Sequence, residues 1–248
     1  MSDSFLNTRE AAAFLRVSEA SVRRWSDGGL LQVRRVGRRK ERRFTEPDLL
    51  KFLGSGSPVS VARTAAVHSE VTVGGVRVPL HSHFASFYDS DAGRLRLAVP
   101  FISEGLRAGQ TCFLIAAGKV LDAHVAALHA QSGIDFDIAL RTGQFVTAAG
   151  LGTTVEDALD FWEPAFWRAI ANGPTVIRVV GEMASERHGF SSEAEMMRYE
   201  VSFNLSAKRF PTVTLCQYDV REFDGRTLYE ALKAHPDLYS HHLGCFLS

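Results

Sequence analysis

The sequence has little cysteine and no long apolar run. Its three cysteines, Cys112, Cys216 and Cys245, are far apart and form no Cys-x-x-Cys pair. This spacing favours a reducing compartment over a disulfide scaffold. The chain has no basic start followed by an apolar segment, and no stretch approaches the ~20 apolar residues of a membrane span. We therefore expect a cytoplasmic protein without a secretory leader or a membrane partner.

The sequence also has no net charge, but its charges are unevenly distributed. Residues 1–53 contain 12 Lys and Arg against 7 Asp and Glu, whereas the remainder contains 16 against 21. A basic segment is attracted to the phosphate backbone of nucleic acid, and an acidic one is not. The charge pattern therefore predicts nucleic-acid contact near the N-terminus. The hydrophobic content of 46% is enough for a substantial core in the larger part.

The first 30 residues have the pattern of two helices joined by a short turn. Thr8 is the expected cap of the first helix, whose apolar residues recur at helical spacing. Ser18 is the expected cap of the second, which carries Trp25 as its core anchor. Gly28 and Gly29 are expected to end that helix, because glycine tolerates the left-handed conformation found there. Two helices in this arrangement predict a helix-turn-helix.

A strongly basic hairpin is predicted next. Leu31–Val33 and Arg42–Phe44 are expected as short strands around Gly37, with arginines between and within them. Such a hairpin suits phosphate contact. Thr45 then caps a third helix, with Asp48 three residues later.

This pattern resembles the winged helix-turn-helix of the MerR and excisionase family. The match runs from T-x-x-A-A at Thr8 to G-R-R-x-x-R-R-F at Gly37. It implies double-stranded DNA as a partner. Arginine on a recognition helix forms the bidentate guanine contact, and wing cations contact phosphate or the minor groove. The expected DNA-binding residues are Ser21, Arg23 and Arg24 on the second helix, and Arg38, Arg39, Lys40, Arg42 and Arg43 in the wing.

Residues 54–70 are small and polar and include Pro58, which is typical of a linker. The expected organisation is a DNA-binding domain at 1–53, a linker at 54–70 and a sensory domain at 71–248. Many MerR regulators dimerise through a long helix after the wing, and this linker contains none. We therefore expect a homodimer or higher homo-oligomer formed through the C-terminal domain.

Residues 71–248 alternate between apolar strand segments and amphipathic helix segments. Val71–Val73 and Val76–Val78 flank Gly74-Gly75, which predicts a small hairpin. The later alternation predicts an α/β domain with a mostly parallel sheet covered by helices on both faces.

In such sheets, ligands bind where strands end and helices begin. Polar and aromatic residues near these ends are expected to converge into one cavity lined by polar groups, with aromatic walls. The expected ligand-binding residues are His83, Tyr88, Glu182, Met183, Glu200, Asn204, Cys216 and Tyr218.

Two alternatives stay open for these residues. Glu182 and Glu200 are either ligand acceptors or helix-cap and buried ion-pair groups. His81 and His83, two apart on an expected strand, face the same way and with Cys216 or His235 are candidate ligands of a metal or haem. Their spacing follows no known closed metal site, so no metal or cofactor is predicted.

Six short motifs in order resemble the MEDS sensory domain, found in methanogen and methylotroph sensors. They are H-x-x-x-F-Y at 83–88, P-F-I-x-x-G-L-x-x-G-Q-x-C at 100–112, G-E-M at 181–183, Y-E-x-x-x-N at 199–204, L-C-Q-Y-D at 215–219 and H-P at 235–236. The resemblance implies a core similar to RecA and KaiC ATPases and a role in sensing small molecules, hydrocarbon derivatives among them.

The chain departs from those ATPases at the phosphate-binding loop. After the first strand it reads Y-D-S-D-A-G-R-L-R-L-A, without the lysine of a P-loop and with two aspartates that repel a triphosphate. We therefore predict no ATP turnover and no enzyme activity. The expected function is a ligand-responsive transcription regulator that binds DNA. The alternative is a MEDS-like domain that acts through protein contact, as in sigma-factor partner switching, instead of through a small ligand.

Overall fold

In the computed structural model, the chain forms two compact units, residues 1–59 and 60–248. The structure describes residues 5–15, 19–27, 31–37, 40–54, 70–171, 173, 176–241 and 243–248. Nearly all of the linker predicted at 54–70 lies outside these residues. Among the described helices, none is long and apolar enough to span a membrane.

The N-terminal unit is a helical domain with a small antiparallel sheet. Its elements are β1 (Phe5–Leu6), α1 (Thr8–Leu15), α2 (Glu19–Asp27), β2 (Arg34–Val36), β3 (Glu41–Thr45) and α3 (Glu46–Gly54). The strand order is β1-β3-β2, so β2 and β3 form the predicted wing hairpin, with β2 three residues later than expected. Strand β1 was not predicted. The apolar core contains Ala11, Leu15, Val22, Trp25 and Phe44.

Side-chain caps begin two of these helices, and one differs from the prediction. The Asn7 side chain accepts from the Glu10 N–H at 3.0 Å, and the Glu10 carboxylate accepts from the Asn7 N–H at 2.8 Å. This reciprocal capping box makes Asn7, and not Thr8, the cap of α1. Thr45 caps α3 as predicted, because its hydroxyl accepts from the Asp48 N–H at 3.2 Å.

The C-terminal unit contains a five-stranded sheet, a separate hairpin and seven α-helices among the described residues. Its elements are β4 (Glu70–Val73), β5 (Val76–Pro79), β6 (Ser82–Tyr88), α4 (Asp91–Arg107), β7 (Thr111–Ile115), α5 (Gly118–His129), α6 (Phe136–Thr142), β8 (Phe145–Ala148), α7 (Val155–Ala171), β9 (Ile177–Glu182), α8 (Met183–Glu186), α9 (Glu193–Ala207), β10 (Thr212–Asp219) and α10 (Gly225–Ala234). The strand order of the sheet is β6-β10-β9-β7-β8.

Every pairing in the five-stranded sheet is parallel, and helices cover both faces, which confirms the predicted α/β fold. Successive residues of β7 show the two faces, since side chains alternate along a strand. The Cys112 thiol lies 3.6 Å from the Ile102 carbonyl of α4, whereas the Phe113 ring packs against Trp162 and Phe166 of α7. The hairpin of β4 and β5 also forms as predicted.

One predicted motif has a structural role. Arg178 of β9 is buried, and it donates to the Gln110 side chain and to the Phe101 carbonyl, both at 2.7 Å. A Cβ on Gly105 would lie 2.7 Å from Arg178 Cδ, so a glycine is needed there. The motif at 100–112 therefore surrounds a buried arginine, a packing role that the family resemblance did not imply.

The loop after β6 contacts Ser248 from a distant part of the chain. Ser90 caps α4 by accepting from the Gly93 N–H, and a Cβ on Gly93 would lie 2.7 Å from the Ser248 carbonyl carbon. The Ser248 N–H donates to Phe87, and the Ser248 carbonyl accepts from Asp89. The loop after β6 is therefore held by contacts with Ser248, and it lacks the lysine of a P-loop.

Candidate functional site

The predicted recognition helix, α2, is anchored to the wing. Arg23 is exposed on α2 and pairs with Glu19 one turn earlier, at 2.7 Å. Arg42 of β3 donates to the Ser26 hydroxyl at 3.2 Å, and the same hydroxyl donates to the Arg23 carbonyl. Arg42 therefore fixes the wing against the end of α2, a role beyond the predicted phosphate contact.

The other predicted DNA-binding residues are only partly described. Lys40 is exposed at the hairpin turn, and Arg43 pairs with Glu41 at 2.6 Å. Ser21 and Arg24 lie on α2, but their side chains are outside the described part of the chain, as are Arg38 and Arg39 altogether. Among the predicted DNA-binding residues whose side chains are described, Arg23 and Lys40 are exposed and Arg42 and Arg43 are half-buried.

Five of the eight predicted ligand-binding residues are on strands, and they divide between the two faces of the sheet. His83, Cys216 and Tyr218 face the helices α9 and α10, whereas Tyr88 and Glu182 face α4. Strand alternation is the reason, since residues an odd number apart point to opposite faces. The single cavity predicted from the sequence is therefore wrong, and two buried polar groups stand in its place.

The first group, called here the His–Cys–Glu cluster, consists of His83, Glu200, Cys216 and His235. All four are at least 97% buried. The Glu200 carboxylate lies 2.8 Å from His235 Nε2 and 3.4 Å from His83 Nε2. His83 Nε2 also lies 3.1 Å from Cys216 Sγ and 3.0 Å from His235 Nε2. One ligating atom from each residue thus lies within 4.8 Å of all the others.

The fold explains why residues from four distant segments meet. His83 is opposite Thr214 in the parallel register of β6 and β10, so Cys216 follows two residues later on the same face. Glu200 is in the middle of α9, and His235 directly follows α10. His81 is not part of this group. It precedes β6 in the left-handed conformation with φ of +67°, so the prediction that His81 and His83 share a strand face is wrong.

The second group is a tyrosine–carboxylate pair at the carboxyl edge of the sheet. The Tyr88 hydroxyl donates to Glu182 at 2.6 Å, and Arg94 Nε donates to the same hydroxyl at 3.2 Å. The Arg94 guanidinium also lies over the Tyr88 ring, 5.4 Å from its centre. Gln217 of β10 fixes this turn of α4 by donating to the Arg94 carbonyl.

Comparison with known proteins gives a consistent result for both units. Residues 82–236 match the family described as MEDS, the methanogen/methylotroph, DcmR sensory domain. This chain belongs to the MEDS family. Residues 5–57 match a helix-turn-helix domain. The two domains together are those of a DNA-binding regulator.

One curated relative matches along almost the whole chain. It is the transcriptional repressor DcmR of Methylorubrum extorquens (strain DSM 6343 / CIP 106787 / DM4), 37% identical over 97% of this chain and 93% of its own length. Among solved structures, the flagellar accessory protein FlaH from Methanocaldococcus jannaschii is similar with a TM-score of 0.48 and 9% identity. That match covers 64% of this chain and 70% of FlaH.

Four of the six MEDS motifs supply the His–Cys–Glu cluster. Burial, together with the neighbouring His235, lowers the pKa of His83 to about 4, so its imidazole is neutral near pH 7. Burial alone would raise the pKa of Glu200, but the hydrogen bonds from the two histidines outweigh it and lower that pKa. Burial and the Glu200 charge raise the pKa of the Cys216 thiol. The MEDS domain therefore keeps a carboxylate charge in its interior.

The remaining predicted residues lie beside this cluster. The Tyr218 ring meets His235 edge-on at 6.0 Å, and Met183 is fully buried near Gly181. Asn204 is one turn after Glu200, and its buried Oδ1 has no hydrogen-bond partner among the described residues.

Sequence reasoning missed three residues of these groups. Arg94 contacts Tyr88, and Glu186 is a buried carboxyl whose pKa is raised by burial and by Glu200 and Glu182. His235 was considered for a metal but was not among the expected ligand-binding residues. Its H-P motif was the available signal, whereas Glu186 carries none. A surface pocket of about 550 Å³ beside α4 is lined by other residues.

Ionisation of Glu182 is expected to lower the stability of the fold as the pH rises. Burial raises its pKa from 4.5 to about 7, so the folded state favours the neutral carboxyl. The resulting stability is complete below about pH 4.5 and is lost as the pH rises through 7. Relative to Glu182→Gln, the wild-type free energy of unfolding should fall by about 2–3 kcal/mol between about pH 5 and pH 8. Urea unfolding at each pH measures this.

The comparison with Glu182→Gln removes the opposite contribution of His83. His83 has a lowered pKa, so its protonation destabilises the fold as the pH falls, and this is common to both proteins. A pH-independent difference between them would show that Glu182 is ionised throughout.

Proposed function

We propose that this chain is a ligand-responsive transcription regulator that binds double-stranded DNA through residues 1–53. A small molecule sensed by the MEDS domain controls that binding. The observation that carries the proposal is the pairing of a basic wing and recognition helix with a MEDS domain, an arrangement matched over 97% of the chain by a relative named as a transcriptional repressor. We further propose a MerR-like winged subtype, which the β2–β3 hairpin directly after α2 supports.

The DNA contacts are proposed to divide into base-reading and phosphate-contacting residues. Replacing Arg39 by alanine should weaken binding to all sequences and flatten the salt dependence by about one phosphate contact, or ~0.9 in the logarithmic slope. Replacing Arg24 should mainly relax sequence preference. Fluorescence anisotropy measures both, on a duplex selected from a random library and on an unrelated duplex, over a range of salt concentrations.

The matched control for these variants is Arg77→Ala. Arg77 has an 81% exposed side chain in the C-terminal unit, so its loss removes a charge without touching the proposed DNA surface. It should leave affinity and salt slope unchanged. Equal effects of Arg24→Ala and Arg39→Ala at every salt concentration would contradict the division of roles, and unaltered binding in both would contradict the proposed DNA surface.

The proposed switch acts between two copies of the chain. A homodimer formed by the MEDS domains would carry two DNA-binding heads, and the ligand would change their spacing relative to two half-sites. A strong switch requires the ligand to prefer one state by several kcal/mol. The two buried polar groups support a binding role, since each has unused hydrogen-bonding atoms. We propose binding and not catalysis as their function.

Release of the selected duplex tests the sensing role. The full-length protein is titrated with one-carbon alcohols, aldehydes and halides, chosen from the methylotroph association of the family. A saturable change in DNA affinity, absent in Glu182→Gln or Cys216→Ser but retained in Cys112→Ser, is the expected result. Cys112 is buried like Cys216 but lies on the opposite face of the sheet from it, so Cys112→Ser is the matched control for Cys216→Ser. If a protein fraction releases the duplex and none of these small molecules does, the result would favour regulation by protein contact instead.

A further inference from the structure

The four ligating atoms of the His–Cys–Glu cluster have the spacing of a metal's coordination sphere. A tetrahedral zinc ion bound at about 2.0–2.3 Å separates its nitrogen, oxygen and sulfur ligands by about 3.3–3.6 Å. Here the two imidazole nitrogens are 3.0 Å apart, the sulfur is 3.1 Å from His83, and the carboxylate is 2.8 and 3.4 Å from the two imidazoles. These four distances need a small expansion to accept an ion, and the sulfur lies within 4.8 Å of the other two ligating atoms.

A backbone hydrogen bond orients one imidazole of the cluster, that of His235, whereas Nδ1 of His83 has no hydrogen-bond partner among the described residues. His235 Nδ1 lies 2.7 Å from the Ala231 carbonyl. A carbonyl only accepts, so Nδ1 carries a proton, and in the neutral form of the ring the Nε2 lone pair would face Glu200 and His83. An imidazole fixed by a backbone carbonyl in this way is the usual arrangement of a metal ligand. Two acceptors that face each other at 2.8 Å need a proton or a cation between them.

We propose that His83, Glu200, Cys216 and His235 bind one four-coordinate transition-metal ion, for which Zn²⁺ is best suited. Two imidazoles, a thiolate and a carboxylate are ligands that zinc accepts, and four protein ligands make a closed site. With the thiolate and the carboxylate ionised, the ion and its ligands are together neutral, which suits a site buried from water. Binding releases the thiol proton and any proton shared between Glu200 and His235.

The proposed ion joins four separate segments of the MEDS domain: two adjacent strands, β6 and β10, the middle of α9 and the residue after α10. Since all four ligands are buried, the ion must enter during folding or through a transient opening. It would therefore contribute to the stability of the domain. This inference goes beyond the proposed function and does not depend on DNA binding. It shares Cys216 with the sensing test, but its own readouts are metal content and a cobalt spectrum, so either proposal can fail without the other.

The test begins with untagged full-length protein, purified under reducing conditions without chelator. Elemental analysis by mass spectrometry should find one equivalent of zinc per chain. Protein unfolded, stripped of metal and refolded with Co²⁺ should show tetrahedral d–d absorption together with a thiolate-to-cobalt band. A substoichiometric amount of metal with no such spectrum after refolding would overturn the proposal.

Matched variants then locate the ligands. Cys112→Ser/Cys245→Ser leaves Cys216 as the sole thiol and should keep the thiolate band, whereas Cys216→Ser should lose it. His124→Gln is the control for His235→Gln. His124 is equally buried, and its Nδ1 contacts the carbonyl four residues earlier, but it lies outside the cluster.

His235→Gln should lower the affinity for Zn²⁺ by at least about 100-fold. Loss of a residue that only hydrogen-bonds to a metal ligand lowers the affinity by up to about 100-fold, so loss of a ligand itself should cost at least as much. The expected result for His124→Gln is wild-type affinity. Retained stoichiometric metal in both Cys216→Ser and His235→Gln would place the ion elsewhere and overturn the assignment. If Cys216→Ser or His235→Gln fails to fold, Cys112→Ser/Cys245→Ser still tests the site. Absence of a thiolate-to-cobalt band in that variant would exclude Cys216 as a ligand and overturn the proposal.

Discussion

Replacing Trp25 by alanine is expected to unfold the N-terminal unit and abolish DNA binding. Trp25 is 2% exposed, and its ring packs against Phe52 of α3 with ring centres 5.2 Å apart. Truncating a buried tryptophan costs about 3–5 kcal/mol. A single core in a domain of this size supplies about as much in total. The folded state of the unit is therefore no longer favoured over the unfolded state, and the proposed recognition helix α2 loses its contact with α3.

The measurement is DNA affinity by anisotropy, together with thermal unfolding followed by circular dichroism. The variant should lose the transition of the N-terminal unit and keep that of the MEDS domain. Trp167→Ala is the control, because Trp167 is 40% exposed on α7 and its loss should leave DNA binding intact. DNA affinity within a few-fold of wild type in Trp25→Ala would show that Trp25 does not hold the recognition helix.

Replacing Glu200 by alanine is expected to destabilise the MEDS domain by about 3–5 kcal/mol. The carboxylate is fully buried and contacts both His83 and His235. Its removal leaves the polar groups of two histidines and a cysteine in the interior without their charged partner. Each buried histidine nitrogen left without its partner costs about 1–3 kcal/mol, because its desolvation is no longer compensated, and two such groups account for the expected loss. Urea unfolding followed by tryptophan fluorescence measures the change.

Arg198→Ala is the matched control on the same helix. Its side chain is 69% exposed and pairs with Glu195, so its loss should change stability by less than ~0.5 kcal/mol. Glu200→Gln keeps the volume and should recover part of the loss. If Glu200→Ala is as stable as Arg198→Ala, the cluster makes no energetic contribution, and the geometry described for it would have no consequence for the fold.

Much of the fold followed from local signals. Val71–Val73 and Val76–Val78 alternate around two glycines, and they pair as predicted. The buried strands of the large sheet were expected from continuous apolar runs, since a parallel sheet covered on both faces has no polar side. Errors occurred where two caps compete over a few residues. Asn7 and Thr8 are both good caps, and only the reciprocal bonds with Glu10 decide between them.

The predicted ligand-binding residues were correctly expected inside the MEDS domain but not correctly grouped. Tyr88 and His83 belong to one strand and one motif, yet they face opposite sides of the sheet because they are five residues apart. Arg94 and Glu186 have no pattern that marks them as members of either group. Their roles depend on which strand lies next to which, and a single sequence does not contain the strand order.

The sequence by itself determined the two-domain organisation, the basic wing, the α/β class and the residue types available for chemistry. These properties depend on composition, on the spacing of apolar residues and on turn chemistry, all of which are local. Only the tertiary structure decided that His83, Glu200, Cys216 and His235 meet, and that His81 does not. Those contacts join residues up to 152 positions apart, as between His83 and His235. Their distances are set by parallel register and helix packing, which many distant residues determine together.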